Sequence, residues 1–329
     1  MKSLRFALWL FAAIAMMGAA IAFGLYFYRP GMLAYEAHLI PNAQLVADAG
    51  HPSHGPLTAT WLGASAVLLS DGESAVMIDP FFTRPPGLFN LLVNRPIAPD
   101  EKRIAAGLKK AGVLTLEAVL VSHSHYDHAM DAGVVAQLTS APLVGSPSTI
   151  NIGLGAGLDH SQLITVLPNV PIQRGPFRIT FIPSAHAGVT GGYRGGDITE
   201  PLMAPAAYLD YKEGGTYSIL IEHPQGMVLH QGSAGFVRGA LRGRKVDVVF
   251  LSVAAIDDLG AYLREVVDAV GARRVIPMHW DDFTVPLDDP PSPMPVVVRL
   301  DRFFAMMAVR RPDLQVQTLR LGEAARLFE

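Results

Sequence analysis

The chain has 329 residues, of which 50% are hydrophobic and 17% charged, and its mean hydropathy is +0.30. That is enough apolar chain to bury a large core, either as one large domain or as two fused halves. The formal net charge is −3, or −6 without residues 1–30, and no stretch is rich in lysine or arginine. This charge balance argues against a nucleic-acid partner. Cysteine is absent, which excludes disulfides and thiolate metal ligands.

The N-terminal segment is the most apolar part of the chain. Phe6 to Tyr28 is a run of 23 residues without a charge, and as a helix it would be about 34 Å long, enough to cross a bilayer. Three interpretations are open: a membrane anchor, a signal peptide cleaved after the Ala20-Ile21-Ala22 stretch, and a buried core helix. We predict a single transmembrane helix that contacts the membrane through residues 6–28.

The flanking charges predict an orientation for this segment. Lys2 and Arg5 precede the apolar run, which favours an N-terminus in the cytoplasm and a catalytic domain on the extracytoplasmic side. If the segment is cleaved, the domain would be periplasmic or secreted. The predicted organisation is an anchor or signal segment over 1–30, a connector over 31–56 and one large folded domain over 57–329. The sequence does not indicate an oligomeric state.

Short apolar or alternating runs begin at Leu57 and are separated by glycine and polar turns, which is typical of strands. The third run ends at Asp79, in Met77-Ile78-Asp79-Pro80. A later apolar strand, predicted over Leu114 to Val121, leads into His123, His125, Asp127 and His128. Four side chains that can bind metal within six residues are not a core pattern, because imidazole and carboxylate groups are the usual ligands of zinc and similar ions.

The six-residue stretch HSHYDH, residues 123–128, resembles the H-x-H-x-D-H signature of the metallo-β-lactamase superfamily. The resemblance implies an αββα four-layer sandwich of the α/β (α+β) class. Within that superfamily, Trp61-Leu62-Gly63 and Asp79-Pro80 look most like the branch of phospholipase D-type and lactonase-type hydrolases. The resemblance also implies that Asp79 holds the metal loop by hydrogen bonds and is not a ligand.

The same resemblance implies two remote ligands, each at the end of a predicted strand. His186 follows the alternating run Phe177 to Pro183 and precedes a glycine-rich loop, and His279 follows Val275 to Met278. The implied ligands are all histidine or aspartate: His123, His125 and His186 for a first metal, and Asp127, His128 and His279 for a second. Asp127 is also the implied catalytic residue, which orients or deprotonates water. Asp281 and Asp282 are either hydrogen-bond acceptors for His279 or loop caps.

Two positions depart from the family pattern. Similar proteins often have histidine where this chain has Ala64, and typically have an aspartate that bridges two metals where it has Ser233. A neutral hydroxyl is a poor bridge between two dications, because it relieves less of their repulsion. We therefore expect one firmly bound Zn²⁺ at the three histidines and a second, weaker position, with Mn²⁺ or Fe²⁺ as alternatives to zinc.

The implied function is a membrane-anchored hydrolase that uses metal-activated water on an ester, lactone or phosphodiester of a small-molecule or lipid-like substrate. The competing hypothesis is a non-catalytic or weakly active metal-binding protein with an incomplete dinuclear site. The long irregular loop from Gly188 to Gly215 should cover the site, since long loops in compact domains are commonly functional. Its candidate substrate contacts are Tyr193, Arg194, Met203 and Tyr208.

Overall fold

The computed structural model describes residues 2–27, 32–41, 55–85, 87, 93–188, 195–287, 291–295 and 297–328. Tyr193 and Arg194 lie outside these ranges, as does most of the segment predicted to be a connector. The α-helices of the described ranges are, in chain order, α1 (Lys2–Phe27), α2 (Met32–Ala37), α3 (Glu101–Lys110), α4 (Tyr126–Ala129), α5 (Ala132–Thr139), α6 (Pro147–Gly155), α7 (Leu259–Tyr262) and α8 (Leu300–Arg310).

The strands in chain order are β1 (Thr58–Trp61), β2 (Val67–Ser70), β3 (Ala75–Ile78), β4 (Pro96–Ile97), β5 (Ala118–Leu120), β6 (Leu143–Gly145), β7 (Leu163–Thr165), β8 (Ile172–Arg174), β9 (Phe177–Pro183), β10 (Ala206–Ala207), β11 (Tyr217–His223), β12 (Gly226–Gln231), β13 (Val248–Ser252), β14 (Arg274–Met278), β15 (Gln315–Val316) and β16 (Ala324–Arg326).

Two seven-stranded sheets form the centre of the domain. The first has the order β16-β1-β2-β3-β5-β6-β7 and the second the order β15-β14-β13-β12-β11-β9-β8, while β4 and β10 form a separate pair. Both sheets are mixed: β3, β5, β6 and β7 run parallel, as do β12, β13, β14 and β15, and the other neighbouring strands are antiparallel. This arrangement confirms the predicted sandwich of mixed α/β class.

Side chains alternate between the two faces of the first sheet, and each face packs in a different hydrophobic core. On β3, Val76 and Ile78 pack in the core shared with the second sheet, whereas Met77 packs in the core beneath α3 and α5. Successive side chains of a strand point to opposite faces, so a strand buried on both sides reads as a continuous apolar run. β5 begins at Ala118 and not at Leu114 as predicted, and Leu114 is 83% exposed.

The helices on the first sheet follow from ordinary local signals. The side chain of Asp100 accepts hydrogen bonds from the backbone N–H groups of Lys102 and Arg103 and so caps the start of α3. Ile104 and Leu108, four residues apart, form its buried face. A cap and one apolar stripe are what a helix needs to lie on a sheet. Against the second sheet, α7 continues through a π-helical turn, Leu263–Val267, before the chain enters β14.

The N-terminal segment differs from the expectation. Its residues form α1, on which several large apolar side chains are exposed, including Trp9 and Phe11. Among the helices in the described part of the chain, none is long and apolar enough to cross a membrane. The transmembrane helix predicted over residues 6–28 is therefore not supported.

Residues 32–41, which fall within the segment predicted to be a connector, pack on the domain. Tyr35 and Ile40 are buried in the main core, and backbone hydrogen bonds join His38 and Ile40 to Thr318. The ring of Tyr35 lies 4.8 Å from that of Trp280, the residue after His279. This part of the chain therefore contributes to the packing behind one of the predicted metal ligands.

Candidate metal centre

The end of β5 presents the metal-binding stretch. The strand stops at Leu120, and the chain passes through Ser122 and His123 before α4 begins after His125, whose extended backbone places it as the N-cap. Asp79, at the end of β3, has a left-handed backbone (φ 47°) and accepts hydrogen bonds from Ser122 through both its N–H (2.7 Å) and its hydroxyl (2.6 Å). The structure thus confirms that Asp79 holds the metal loop by hydrogen bonds.

Three histidines converge at the first predicted metal position. The ring of His186, which follows β9, lies 4.6 Å from the ring of His125 and 4.9 Å from that of His123. One nitrogen from each of the three rings lies within 4.8 Å of the others. The sequence separates His186 from the motif by about 60 residues, and His186 follows a strand of the second sheet, whereas His123 and His125 follow a strand of the first.

The second predicted position assembles in the same way. Nε2 of His128 and Nε2 of His279 are 3.2 Å apart, and Oδ2 of Asp127 lies 3.5 Å from the former and 3.3 Å from the latter. All three side chains are buried. His279 follows β14 with a left-handed backbone (φ 58°), which its N–H stabilises by donating to the carbonyl of Ala64.

Hydrogen bonds at Nδ1 fix the tautomer of two of the candidate ligands, His128 and His186. Nδ1 of His128 donates to Asp79 (2.8 Å), and Nδ1 of His186 donates to the carbonyl of Ala187 (2.8 Å). A proton held at Nδ1 leaves the Nε2 lone pair available, which is the usual second-shell arrangement of metal-binding histidines. Nε2 of His123 is buried and has no hydrogen-bond partner among the described residues. A divalent ion would satisfy this nitrogen, so the donor set fits a metal.

The electrostatics differ between the two positions. Burial, together with the neighbouring His128, His125 and His186, holds the pKa of His123 well below its usual value, and burial with His125 lowers the pKa of His186 to about 4. These rings are neutral at pH 7 and ready to donate lone pairs. At the second position, burial opposes ionisation of Asp127, but the nearby His128 and His279 outweigh it and hold its pKa well below the usual range.

Asp79 adds a second buried carboxylate behind His128. Burial opposes its ionisation too, and the charge and hydrogen bond of His128 outweigh it, so the pKa of Asp79 is lowered. Burial alone would lower the pKa of His128, but Asp127 and Asp79 raise it. The three-histidine position thus has no carboxylate among its ligands, whereas the second position has one ligand carboxylate and one directly behind it.

The two departures from the family pattern have structural consequences. The hydroxyl of Ser233 accepts a hydrogen bond from the N–H of Ala187 (2.9 Å). Ala64 has a left-handed backbone (φ 45°), and its N–H donates to Oδ1 of Asp281 (2.7 Å). Oδ2 of Asp281 forms an ion pair with Arg84 at 2.7 Å, and both side chains are at most 1% exposed. Asp281 therefore reaches His279 through the Ala64 backbone and not by a bond to the ring.

Several of these supporting residues carry no recognisable sequence signal. Arg84 lies in a proline-rich stretch, and its pairing with Asp281 spans 197 positions. His230 ends an apolar strand and is fully buried, with Nε2 2.8 Å from the carbonyl of Ser65. In the sequence, the only indication that His230 has a special role is that it interrupts an apolar run. Asp282, the other predicted acceptor, instead accepts from the backbone and hydroxyl of Thr284.

An aromatic wall extends from the second position. The ring of Phe283 lies 5.0 Å from that of His279, Tyr126 lies 6.5 Å from Phe283, and Tyr208 lies 5.5 Å from Tyr126. Phe283 and Tyr208 are half-buried. The structure therefore brings Tyr208, a predicted substrate contact, close to the metal loop, whereas Met203 is 66% exposed.

Comparison with known proteins identifies the family of this chain. The family model described as "Metallo-beta-lactamase superfamily" matches residues 59–301. The chain belongs to this superfamily. That membership confirms the resemblance drawn from the HSHYDH stretch.

Two relatives share the description of a metal-dependent hydrolase. A "UPF0173 metal-dependent hydrolase" from Desulforamulus reducens is 30% identical over 236 residues, covering 70% of this chain and 87% of the relative. A protein of the same description from Archaeoglobus fulgidus is 26% identical over 271 residues, covering 80% of this chain and 96% of the relative. These names agree with the enzyme class predicted from the sequence, a metal-dependent hydrolase.

Solved structures show the same fold at low identity. Igni18, a metallo hydrolase from Ignicoccus hospitalis, has a TM-score of 0.52 and 18% identity, covering 82% of this chain and 97% of Igni18. CmlA, a diiron β-hydroxylase from Streptomyces venezuelae, has a TM-score of 0.50 and 15% identity, covering 85% of this chain and 55% of CmlA. One fold thus carries different chemistries, and function has to be argued from the site.

Proposed function

We propose that this protein is a metal-dependent hydrolase in which His123, His125 and His186 hold one zinc ion, and Asp127, His128 and His279 hold a second. The observation that carries the proposal is the convergence of six nitrogen and oxygen donors in two compact groups. The buried Nε2 of His123, which lacks a protein partner, adds to it. Bound zinc would lower the pKa of water to about 7 and polarise the scissile bond.

The residues of the chain have distinct tasks in this reaction. Asp127 is ionised at neutral pH, since its pKa lies well below the usual range, and its carboxylate can orient the attacking water and accept a proton from it. Asp79 holds His128 in the tautomer that leaves Nε2 facing the centre. The charges at the second position also affect how many metal ions the site can hold. The weaker second position was expected from the missing bridge, but Asp127 and Asp79 supply two carboxylates there and so support filling both positions.

For the substrate, we propose an ester or lactone with an apolar group, ahead of a phosphodiester. The aromatic wall of Phe283, Tyr126 and Tyr208 offers an apolar surface next to His279. Arg84, a cation close enough to act on Tyr126, is already paired with the buried Asp281. A neutral acyl substrate fits this surface better than a phosphodiester, which carries charge that needs a partner.

The test is metal content and turnover of the full-length protein. We expect bound zinc by atomic emission, and hydrolysis of ester or lactone substrates that a chelator abolishes. His125→Ala should remove turnover, whereas His160→Ala is a matched control, because His160 is exposed in a turn away from the motif. Asp127→Asn should reduce kcat about 100-fold or more, as for loss of a general base. Protein without zinc, or turnover that survives His125→Ala, would refute the proposal.

The non-catalytic alternative gives a different result in the same experiment. Its structural basis is Ser233, whose hydroxyl stands where the family usually has a bridging carboxylate. Under this hypothesis the protein binds zinc, His125→Ala weakens that binding, and no ester, lactone or phosphodiester is turned over by either form.

Membrane association and an extracytoplasmic location remain predictions. The first is supported by the exposed apolar side chains of α1, including Trp9, Phe11 and Phe23, because large apolar patches on monomeric proteins are usually covered by a partner or a membrane surface. The second rests on the positive charges of Lys2 and Arg5 before the apolar run. Fractionation of cells that express the full-length chain and a form without residues 1–30 tests the first prediction. Recovery of the full-length chain in the soluble fraction would contradict it.

A further inference from the structure

Ser233 and Ala187 form a link between two loops at the first metal position. The Ser233 hydroxyl accepts from the N–H of Ala187 at 2.9 Å, and the carbonyl of the same Ala187 accepts from Nδ1 of His186 at 2.8 Å. Ala187 is therefore held on one side by Ser233 and holds the His186 ring on the other. Ser233 is 5% exposed and Ala187 is 5% exposed, so water does not readily replace either bond.

The loop that carries Ser233 is itself rigidly held. Nε2 of Gln231 donates to the carbonyls of Ser233 and Gly235, both at 2.8 Å, and the hydroxyl of Tyr262 donates to the Ser233 carbonyl at 3.3 Å. Each of these bonds ends on the backbone and leaves the serine hydroxyl for Ala187. The position of that hydroxyl is thus fixed before any metal is considered.

The same loop lies against the backbone that precedes His186. A Cβ atom on Gly235 would sit 2.2 Å from the carbonyl oxygen of Ala185 and 2.6 Å from that of His186. The hydroxyl of Ser184 also donates to the Gly235 carbonyl. Such a close approach needs glycine, and it means that the loop after β12 forms a cradle for the loop after β9.

We infer that Ser233 is a positioning residue for His186 and not a bridging metal ligand. It acts through the Ala187 peptide: its hydroxyl fixes the Ala187 N–H, and the Ala187 carbonyl fixes the tautomer and orientation of His186. The inference rests on the proposed function, because it assumes that His186 binds metal. It also implies that the two metal positions share no carboxylate and that Ser233 affects only the first.

The chemistry of the two residue types favours this role. A bridging aspartate is an anion that offsets the repulsion of two dications, whereas a serine hydroxyl is neutral at pH 7. Ser233 instead makes the kind of bond that supports a ligand from outside, and loss of such support typically weakens metal affinity about 10-fold to 100-fold. Its effect should therefore follow His186.

Zinc titration of the full-length chain, read out against a competing chelator, tests the inference without relying on turnover. His279→Ala leaves the first position as the remaining one, and His186→Ala leaves the second. In the His279→Ala background, Ser233→Ala should weaken the remaining zinc about 10-fold, and Ser233→Thr, which keeps the hydroxyl, should restore the affinity. In the His186→Ala background, Ser233→Ala should leave zinc affinity unchanged, as for uncoupled sites.

The outcomes separate this inference from the proposed function. If Ser233→Ala weakens zinc in the His186→Ala background, or has no effect in the His279→Ala background, the positioning role is wrong while the metal sites stand. If the unaltered chain binds no zinc, the proposed function itself fails. Thermal unfolding of each variant in chelator checks that the fold is kept. Should the threonine methyl group not fit, the two backgrounds with Ser233→Ala still decide.

Discussion

Asp281→Asn tests the buried support behind the second metal position. Asp281 accepts from the Ala64 N–H through Oδ1 and pairs with Arg84 through Oδ2, each at 2.7 Å. Asparagine keeps nearly the same shape and can keep the bond from Ala64 through its oxygen. It removes the charge that faces the guanidinium and places an NH₂ donor against it.

The size of the effect follows from burial. The side chains of Arg84 and Asp281 are 0% and 1% exposed, and the other contacts described for the Arg84 guanidinium are the carbonyl of Asp282 at 3.4 Å and the ring of Phe81 at 5.2 Å. Removing one member of a buried pair leaves an uncompensated charge and costs about 3–5 kcal/mol. Since domains are stable by about 5–15 kcal/mol, this variant should lose roughly a fifth or more of the free energy of unfolding.

Urea unfolding of the chelator-treated protein, followed by circular dichroism, measures this loss directly. The matched control is Asp301→Asn, which makes the same substitution in an exposed pair with Arg299 and should cost less than about 1 kcal/mol. If Asp281→Asn lowers the free energy of unfolding by no more than the control does, the pair is not what stabilises this part of the fold and the reasoning is refuted.

Two further predictions concern buried carboxylates. Asp79→Asn removes the negative charge that faces His128 Nδ1, so zinc at the second position should bind about 10-fold more weakly; equal affinity in a chelator competition would contradict the assigned role. Asp131 is fully buried, and burial raises its pKa to about 6, above the unfolded value of about 4. A carboxyl group with a raised folded pKa contributes most below the unfolded pKa and loses that contribution as pH rises through about 6. Relative to Asp131→Asn, the unaltered chain should therefore lose unfolding free energy between pH 4 and pH 7, and a difference that does not change with pH would show that Asp131 does not titrate in this range.

The ligand set was predictable because its signal is local. His123, His125, Asp127 and His128 fall within six residues after an apolar strand, and strand alternation followed by a helix start is enough to make them converge. The remote ligands His186 and His279 came from the family resemblance, since nothing in their own surroundings fixes a partner. The structure brings both to the metal loop.

Helix and strand boundaries were less predictable where tertiary contacts override local pattern. β5 starts at Ala118, four residues later than predicted, and Leu114 is exposed. β16, near the C-terminal end of the sequence, forms the edge of the first sheet by pairing with β1, the first strand in the chain. The segment that precedes residue 57 was also only partly predictable from its local sequence. Its hydropathy predicted a membrane-crossing helix, which the described helices do not support, and residues 32–41, within the segment predicted to be a connector, pack on α8 and on the core.

The sequence by itself determined the superfamily, the mixed α/β sandwich and the four candidate donors of the 123–128 stretch, because the signature that carries them combines residue types at short, fixed spacings. The tertiary structure alone decided what supports those donors. Asp79 lies behind His128, Arg84 pairs with Asp281, and Ser233 bonds to Ala187. These contacts join residues 46 to 197 positions apart, and such partners are set by which elements pack together, which no local pattern in the chain records.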